Sequence, residues 1–424
     1  MIEKILIFNI THWNQVVCSL IEGLKANKDL KLFSTTDTNY AADIAIKNQP
    51  VYFVIPIFEQ RNYRIENNKI ISGTPPDIQV NATVIEKEKY VGECKNLMKE
   101  CDLIIIFDRG DLSSAYFYIP DENGNVVPTI DRFGRENTSV DCLHKYAIKN
   151  YKDKIALINP NDWSSSGEMY GKYEGGFPQD CKIYFKREKS LDLQWEDNVH
   201  PIPFSTEERY FTGGKNFNNI WNNKILDVAC LFRDDIYNKG QDLKRRTVKR
   251  AVKEHCNIMG NIKYVIGSIK DDISVEPNYE IEKQLSGIDI SLKKYEYEDV
   301  VGKPRHHHST YYKVLLKSRI NIEGLPGQEA FYTGRMMESL ANGCCYFYPK
   351  PNYRVDFPNG LIDGEDFIIY ETPEDLIERI HYYLHHPNEM KVIAENGFNK
   401  LLKYHTSEVR AKEFLETCEG YMND

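Results

Sequence analysis

The densest suggestion of chemistry lies in Glu323-Gly-Leu-Pro-Gly-Gln-Glu-Ala-Phe-Tyr-Thr-Gly-Arg-Met-Met-Glu-Ser-Leu-Ala-Asn-Gly-Cys-Cys-Tyr-Phe-Tyr348. The run leaves a strand, passes a Gly/Pro turn and enters a helix expected over Thr333–Ala341, with Gly343 as its C′ stop and a buried strand directly after. Thr333, Met337, Leu340 and Ala341 form the stripe that faces a core. Arg335 and Glu338, three apart, share a neighbouring face. A helix entered through glycine presents unpaired N–H groups and a positive dipole end, which suits a diphosphate. Gly334 allows close approach, and Arg335 adds a bidentate anion clamp. A carboxylate at Glu338 can accept hydrogen bonds from two vicinal hydroxyls, as carboxylates do on ribose in dinucleotide folds. The same spacing also permits a plain Arg335–Glu338 ion pair on a solvated face, worth about 0.3 kcal/mol.

Such a helix needs a sheet to hold it. Short apolar runs alternate with helical patterns twice over. The first set is Lys4–Phe8, Val51–Ile57, Leu103–Phe107 and Ile155–Ile158; the second is Ile225–Phe232, Lys263–Ile266, Arg319–Ile322, Cys344–Tyr348 and Phe367–Tyr370. Helices are expected at Gln241–His255 and Tyr311–Lys317. The texture predicts an α/β protein of two doubly wound, Rossmann-like domains facing an interdomain cleft. Residues 186–224 carry Pro201, Pro203, Gly213, Gly214 and clustered Asn, a linker composition. The domains are therefore drawn at 1–212 and 213–395, with 396–424 as terminal helices packing back on the first domain. Long polar loops at about 58–80 and 160–180 are either functional or surface insertions.

Composition narrows the classes. The 424 residues carry 54 basic and 63 acidic side chains, a net charge of −9, which argues against a general nucleic-acid or anionic-membrane binder. No apolar run approaches the roughly 18 residues that span a bilayer, and no signal h-region is visible. Ten scattered cysteines without a CxxC pair fit reduced, buried thiols in a cytoplasm.

Beyond this, an ordered succession of motifs carries a family resemblance. Arg335-Met-Met-Glu338-Ser-Leu-Ala-Asn-Gly343 is followed by Phe357-Pro-Asn-Gly360 and Asp375-Leu-Ile-Glu-Arg-Ile-His-Tyr-Tyr-Leu-His-His-Pro387. Ala394-Glu-Asn-Gly397 and His405-Thr-Ser-Glu-Val-Arg410 complete it. From about Ile225 to Arg410 the chain resembles the carboxyl half of GT-B glycosyltransferases, in the group 1 branch that includes CgeB-like proteins. Ile130-Asp131, and Tyr184-Phe-Lys-Arg-Glu188 ahead of Pro201-Ile-Pro-Phe204, are similar to that branch's first half and domain junction. The resemblance implies a metal-independent glycosyltransferase needing no cofactor. Its donor would be a nucleotide-diphosphate sugar, UDP- or GDP-linked, bound by the second domain; its acceptor would be a glycan, protein or small molecule held by the first. Glu338 matches the family's ribose-binding glutamate, and Gly334 with Arg335 its diphosphate-facing helix start. Retaining members of the wider group carry two glutamates bracketing seven residues. Here Ala330 stands at the first position, with Glu329 one place off, so retention or inversion is left open.

The same resemblance places Arg233 and Lys239-Gly240, after the first strand of the second half, at the donor phosphates, where two to three negative charges need compensation. Asp234 and Asp235 could equally pair with Arg233 in a turn. His308, in the His306-His307-His308 run, would border the nucleobase; consecutive histidines rarely close one metal site. The following basic helix (Lys244, Arg245, Arg246, Lys249, Arg250, Lys253) reads best as a solvated face, and otherwise as a grip on nucleic acid or membrane. An inverting transferase needs a general base at the acceptor, for which His12, Asp108 and Asp111, each just after a strand, are the candidates. Three rivals remain: a GT-B-type epimerase or hydrolase of the same nucleotide sugar, a viral-type DNA glycosyltransferase, and a non-catalytic binding module.

Overall fold

The computed structural model describes residues 2–8, 15–34, 52–53, 63–66, 69–72, 94–107, 127–130, 136–139, 141–159, 182–192, 194–232, 239–267, 307–324, 333–351 and 354–423. They fall into two compact units, residues 1–203 with 410–424, and residues 204–409.

In the first unit a parallel sheet contains β1 (Lys4–Phe8), β2 (Lys31–Ser34), β3 (Tyr52–Phe53), β6 (Leu103–Phe107), β9 (Ile155–Asn159), β10 (Ile183–Lys186) and β11 (Val199–Pro201). Two antiparallel hairpins accompany it: β4 (Tyr63–Glu66) with β5 (Lys69–Ser72), inside the long loop at 58–80, and β7 (Val127–Ile130) with β8 (Glu136–Ser139). The order β11-β10-β9-β6-β1-β2-β3 reverses direction between β1 and β6. All five residues of β6 are buried, as expected of a central parallel strand covered on both faces. Residues 186–224, irregular to the eye, supply the edge strand β11, the Phe217–Asn222 helix and a run of buried charges, Lys186, Arg187 and Glu188. An edge strand tolerates Pro201, which a central one would not. The end of the last helix, Ser407–Asn423, lies on this unit: the Phe414 ring lies 4.6 Å from that of Phe185, tilted by 43°, and the Tyr421 hydroxyl donates to the Asp197 carbonyl at 3.0 Å.

The second unit is a five-stranded parallel sheet of β12 (Leu226–Leu231), β13 (Tyr264–Gly267), β14 (Ser318–Ile322), β15 (Cys345–Pro349) and β16 (Ile368–Tyr370), ordered β13-β12-β14-β15-β16. The winding reverses between β12 and β14, so their carboxyl ends, at Phe232 and Glu323, flank the point where open α/β sheets bind ligands. Motifs distant in sequence meet here as packing partners. The His405 ring stacks 4.6 Å from Phe357, and its Nε2 lies 3.0 Å from the carbonyl of Asn359, whose φ is +55°.

Gly397, in the Pro387–Tyr404 helix, is another such contact. A Cβ there would overlap the Asp366 carbonyl oxygen and come 2.8 Å from Leu340 Cδ2. Gly397→Ala is therefore expected to lower stability by about 2 kcal/mol, read as a drop in melting temperature with unchanged far-UV signal. A fully retained melting temperature would show that this helix can move off the Asp366 carbonyl and Leu340 without cost. Among the described residues no helix is long and apolar enough to cross a membrane.

Candidate functional site

The site grows from the carboxyl end of β14. Glu323, 2% exposed, places its Oε1 3.0 Å from Arg335 Nη1. Its Oε2 accepts from the Tyr346 hydroxyl at 3.0 Å and from Thr333 Oγ1 at 3.4 Å, while its backbone carbonyl accepts from the Tyr370 hydroxyl at 2.6 Å. One glutamate thereby ties β14, β15 and β16 to the helix that follows.

That helix is Gly334–Ala341, matching expectation to one residue at its start. Thr333 is its N-cap, accepting from the Met336 N–H at 3.4 Å. At the other end Gly343 adopts φ +64°; its N–H donates to the Leu340 carbonyl, and the Cys344 N–H donates to that of Ser339, the paired bonds of a Schellman motif. The helix is fastened to β14 by Asn321 Nδ2, which donates to Ser339 Oγ at 2.6 Å. Buried Lys224 donates to the Asn342 carbonyl at 2.7 Å and the Leu315 carbonyl at 3.1 Å, joining the carboxyl ends of this helix and of His307–Lys317. A cation suits two such ends, although burial lowers the lysine's pKa.

Glu338 is 6% exposed. It forms no ion pair with Arg335: the arginine is drawn across to Glu323 and keeps 31% of its side chain exposed. The solvated intrahelical pair that the spacing allowed is thus overturned, because the helix turns Glu338 inward toward the His307–Lys317 helix. There the Tyr312 hydroxyl donates to Glu338 Oε1 at 3.3 Å. Burial pushes the Glu338 carboxyl up to about 7, against the opposing pull of Arg335, Tyr311, Arg209 and Tyr312. A buried carboxylate met by hydroxyls, and by no ion-pair partner among the described residues, is equipped to receive further hydrogen-bond donors.

Behind it lies a group that sequence reading missed. Glu207, fully buried, accepts from Arg209 Nη2 and from the Tyr210 hydroxyl, both at 3.0 Å; burial raises the Glu207 pKa. The Tyr210 ring lies 5.8 Å from that of Tyr312. Asn342 Nδ2 links the carbonyls of Tyr210 (2.9 Å) and Glu338 (2.8 Å). Glu207, Arg209 and Tyr210 hid inside the 186–224 stretch that looked like a linker. Glu323 was missed because the search followed a seven-residue glutamate spacing; a charge placed directly after an apolar strand and before glycine was the available signal.

Of the other expected residues, His12, Asp108, Asp111 and Arg233 lie outside the described residues. Lys239 and His308 are placed only as the first and second positions of the Lys239–Met259 and His307–Lys317 helices. β1 and β6 are paired at the reversal point of the first sheet, with Phe8 opposite Ile106. The basic helix is not uniformly solvated. Arg245 is 6% exposed with its stem beside Gly324, and Lys249 donates to the Phe232 carbonyl at 2.6 Å, while Arg250 and Lys253 face solvent.

Comparison with known proteins bears on the fold and on the second unit's sequence. Residues 245–416 match the family described as glycosyl transferase-like, a span containing Glu323, Arg335 and Glu338. No curated protein sequence matches the chain. Among solved structures, a glycosyltransferase from Rickettsia africae is 12% identical with a TM-score of 0.55, covering 100% of this chain and 99% of that one. HepE from Anabaena, solved in complex with UDP-glucose, is 10% identical with a TM-score of 0.55, covering 98% and 99%. A sucrose-phosphate synthase from Thermosynechococcus elongatus is 10% identical with a TM-score of 0.50, covering 99% of each chain. Two units, each with its own parallel α/β sheet, and full-length likeness to these structures define the GT-B fold of glycosyltransferases. Within that fold, residues 245–416 carry the sequence pattern of the glycosyl transferase-like family.

Proposed function

We propose that this protein transfers a sugar from a nucleotide-diphosphate donor to an acceptor hydroxyl. The observation that carries the reading is Glu338: a carboxylate buried on the helix beyond the reversal point, left to hydroxyl partners while Arg335 is held by Glu323. In this reading Glu338 accepts from the ribose hydroxyls, and His308 borders the base. Arg335 at the Gly334 helix start, with Arg233 and Lys239, meets the diphosphate. The acceptor oxygen forms the new bond to the anomeric carbon, and the diphosphate departs with the electron pair of the broken C–O bond. Charge develops on that leaving group, so fixed cations there act where they matter and no metal ion is required. The first unit would bind the acceptor, a glycan, protein or small molecule, with His12 or Asp108 taking its proton if the reaction inverts. HepE shares the fold and is solved with UDP-glucose, which supports a UDP-linked donor, with GDP-linked sugars next.

The test is thermal stability against UDP-, GDP-, dTDP- and CMP-sugars. At about a hundred times the dissociation constant the right donor should raise the melting temperature by about 5 °C. Glu338→Ala should abolish the shift. Silence toward every donor would sink the reading in favour of a non-catalytic module, and donor turnover without acceptor would replace transfer by epimerisation or hydrolysis.

A further inference from the structure

We propose that Tyr312 is a positioning residue for nucleotide recognition, its hydroxyl holding Oε1 of Glu338 so that the second carboxylate oxygen is presented to the ribose. The inference rests on the donor-binding reading above. A glutamate side chain has several rotatable bonds, and a carboxylate that must find its geometry only when ligand arrives loses affinity to that ordering. A phenol has one proton to donate, and here it is donated to one oxygen of one carboxylate at 3.3 Å.

The phenol is itself immobilised. Tyr312 is 2% exposed, and its ring lies against Tyr210 at 5.8 Å with an interplanar angle of 34°. Tyr210 is held at its hydroxyl by Glu207 and Arg209 and at its carbonyl by Asn342. Asn342 also grips the Glu338 carbonyl, so donor and acceptor are clamped from both ends by one framework.

The charged and titratable groups facing Glu338 are Arg335 on its own helix, Arg209 and Tyr210 on the segment before the Phe217–Asn222 helix, and Tyr311 and Tyr312 on the His307–Lys317 helix. Burial disfavours the carboxylate, and Arg335, Tyr311, Arg209 and Tyr312 all favour it. Loss of the Tyr312 hydroxyl therefore moves the titration of Glu338 to higher pH, an effect that a phenol serving only as packing would not produce.

The experiment uses the full chain and its Tyr312→Phe variant, which keeps the ring. UDP and GDP are titrated calorimetrically from pH 6 to 9, the tighter ligand being followed. Near pH 7 the variant should bind about tenfold more weakly, as for loss of a hydrogen bond to a charged group. The gap should narrow toward pH 9 as both forms ionise, and the midpoint of the binding profile should rise. Infrared titration of the isotopically labelled glutamate carboxyl in the ligand-free protein reads the same midpoint independently of binding. An unchanged midpoint overturns the proposal, whether affinity is intact or uniformly reduced. If neither nucleotide binds the unaltered protein, the donor-site reading fails, while the infrared midpoint still decides whether Tyr312 governs Glu338.

Discussion

Glu338→Gln is expected to weaken nucleotide-diphosphate binding by about a hundredfold while making the ligand-free protein more stable at pH 8. Glutamine can accept on one oxygen but donates from its nitrogen, so a diol that offers two donors leaves one buried polar group unpaired, the kind of mismatch that costs most in recognition. The stability gain comes from linkage. Burial pushes the carboxyl up to about 7 in the folded chain against an ordinary value of 4.5, so between these values the folded state binds more protons than the unfolded one. Stability is therefore lost as pH rises from about 4.5 through about 7, by up to about 3 kcal/mol. Above that range the cost of a buried charge is fully present, and glutamine never carries it. The two melting temperatures, measured from pH 5 to pH 9, should converge near the acid end and separate by several degrees at pH 8. A variant less stable than the parent at pH 8 would mean that the Glu338 charge is held far better than its burial indicates. Donor binding by the parent should weaken as pH falls below about 7, because protonation removes the acceptor.

The second large effect is expected at the other carboxylate. Arg335→Met leaves Glu323, 2% exposed, with only the Tyr346 and Thr333 hydroxyls in place of its cation. Breaking one side of a buried pair typically costs about 3 kcal/mol, mostly from the uncompensated charge. The arginine keeps part of its surface in water, so a value near the lower end of that scale is expected. Adding Glu323→Gln removes the stranded charge and should recover about half of the loss. Nucleotide affinity should stay low in both variants, since the diphosphate has lost its clamp. This double-mutant cycle separates holding the fold from holding the ligand. Donor binding restored by the second substitution would show that Arg335 serves Glu323 alone.

Much of the architecture was legible along the chain because it depends on local periodicity. β1 and β6 coincide with their apolar runs, and Gly343 ends its helix in the positive-φ conformation that its position demanded. The strands β10 and β11, at one side of the first sheet, were not legible. Their residues, Ile-Tyr-Phe-Lys and Val-His-Pro, are short and mixed, and are strands because β9 offers β10 a partner and β10 in turn offers one to β11. Likewise the basic helix showed its charges but not that Arg245 and Lys249 fold back onto the end of the sheet.

Residue type and spacing single out Arg335 and Glu338 as candidates, and the cap, glycines and apolar stripe mark the helix that carries them. Which charge each would meet was beyond any local rule. Arg335 finds Glu323 across a separation of 12 positions, and Glu338 finds Tyr312 across 26. Those choices depend on where β14 ends relative to two helices, on which oxygen is shielded from water, and on how strongly burial penalises a charge. Amino-acid order by itself determined two doubly wound halves and the capped helix Gly334–Ala341 that carries Arg335 and Glu338. Only the packing of strands and helices decided that Glu323 takes the arginine while Glu338 is buried against the Tyr312 hydroxyl, because low dielectric and hydrogen-bond partners exist only once the chain has folded.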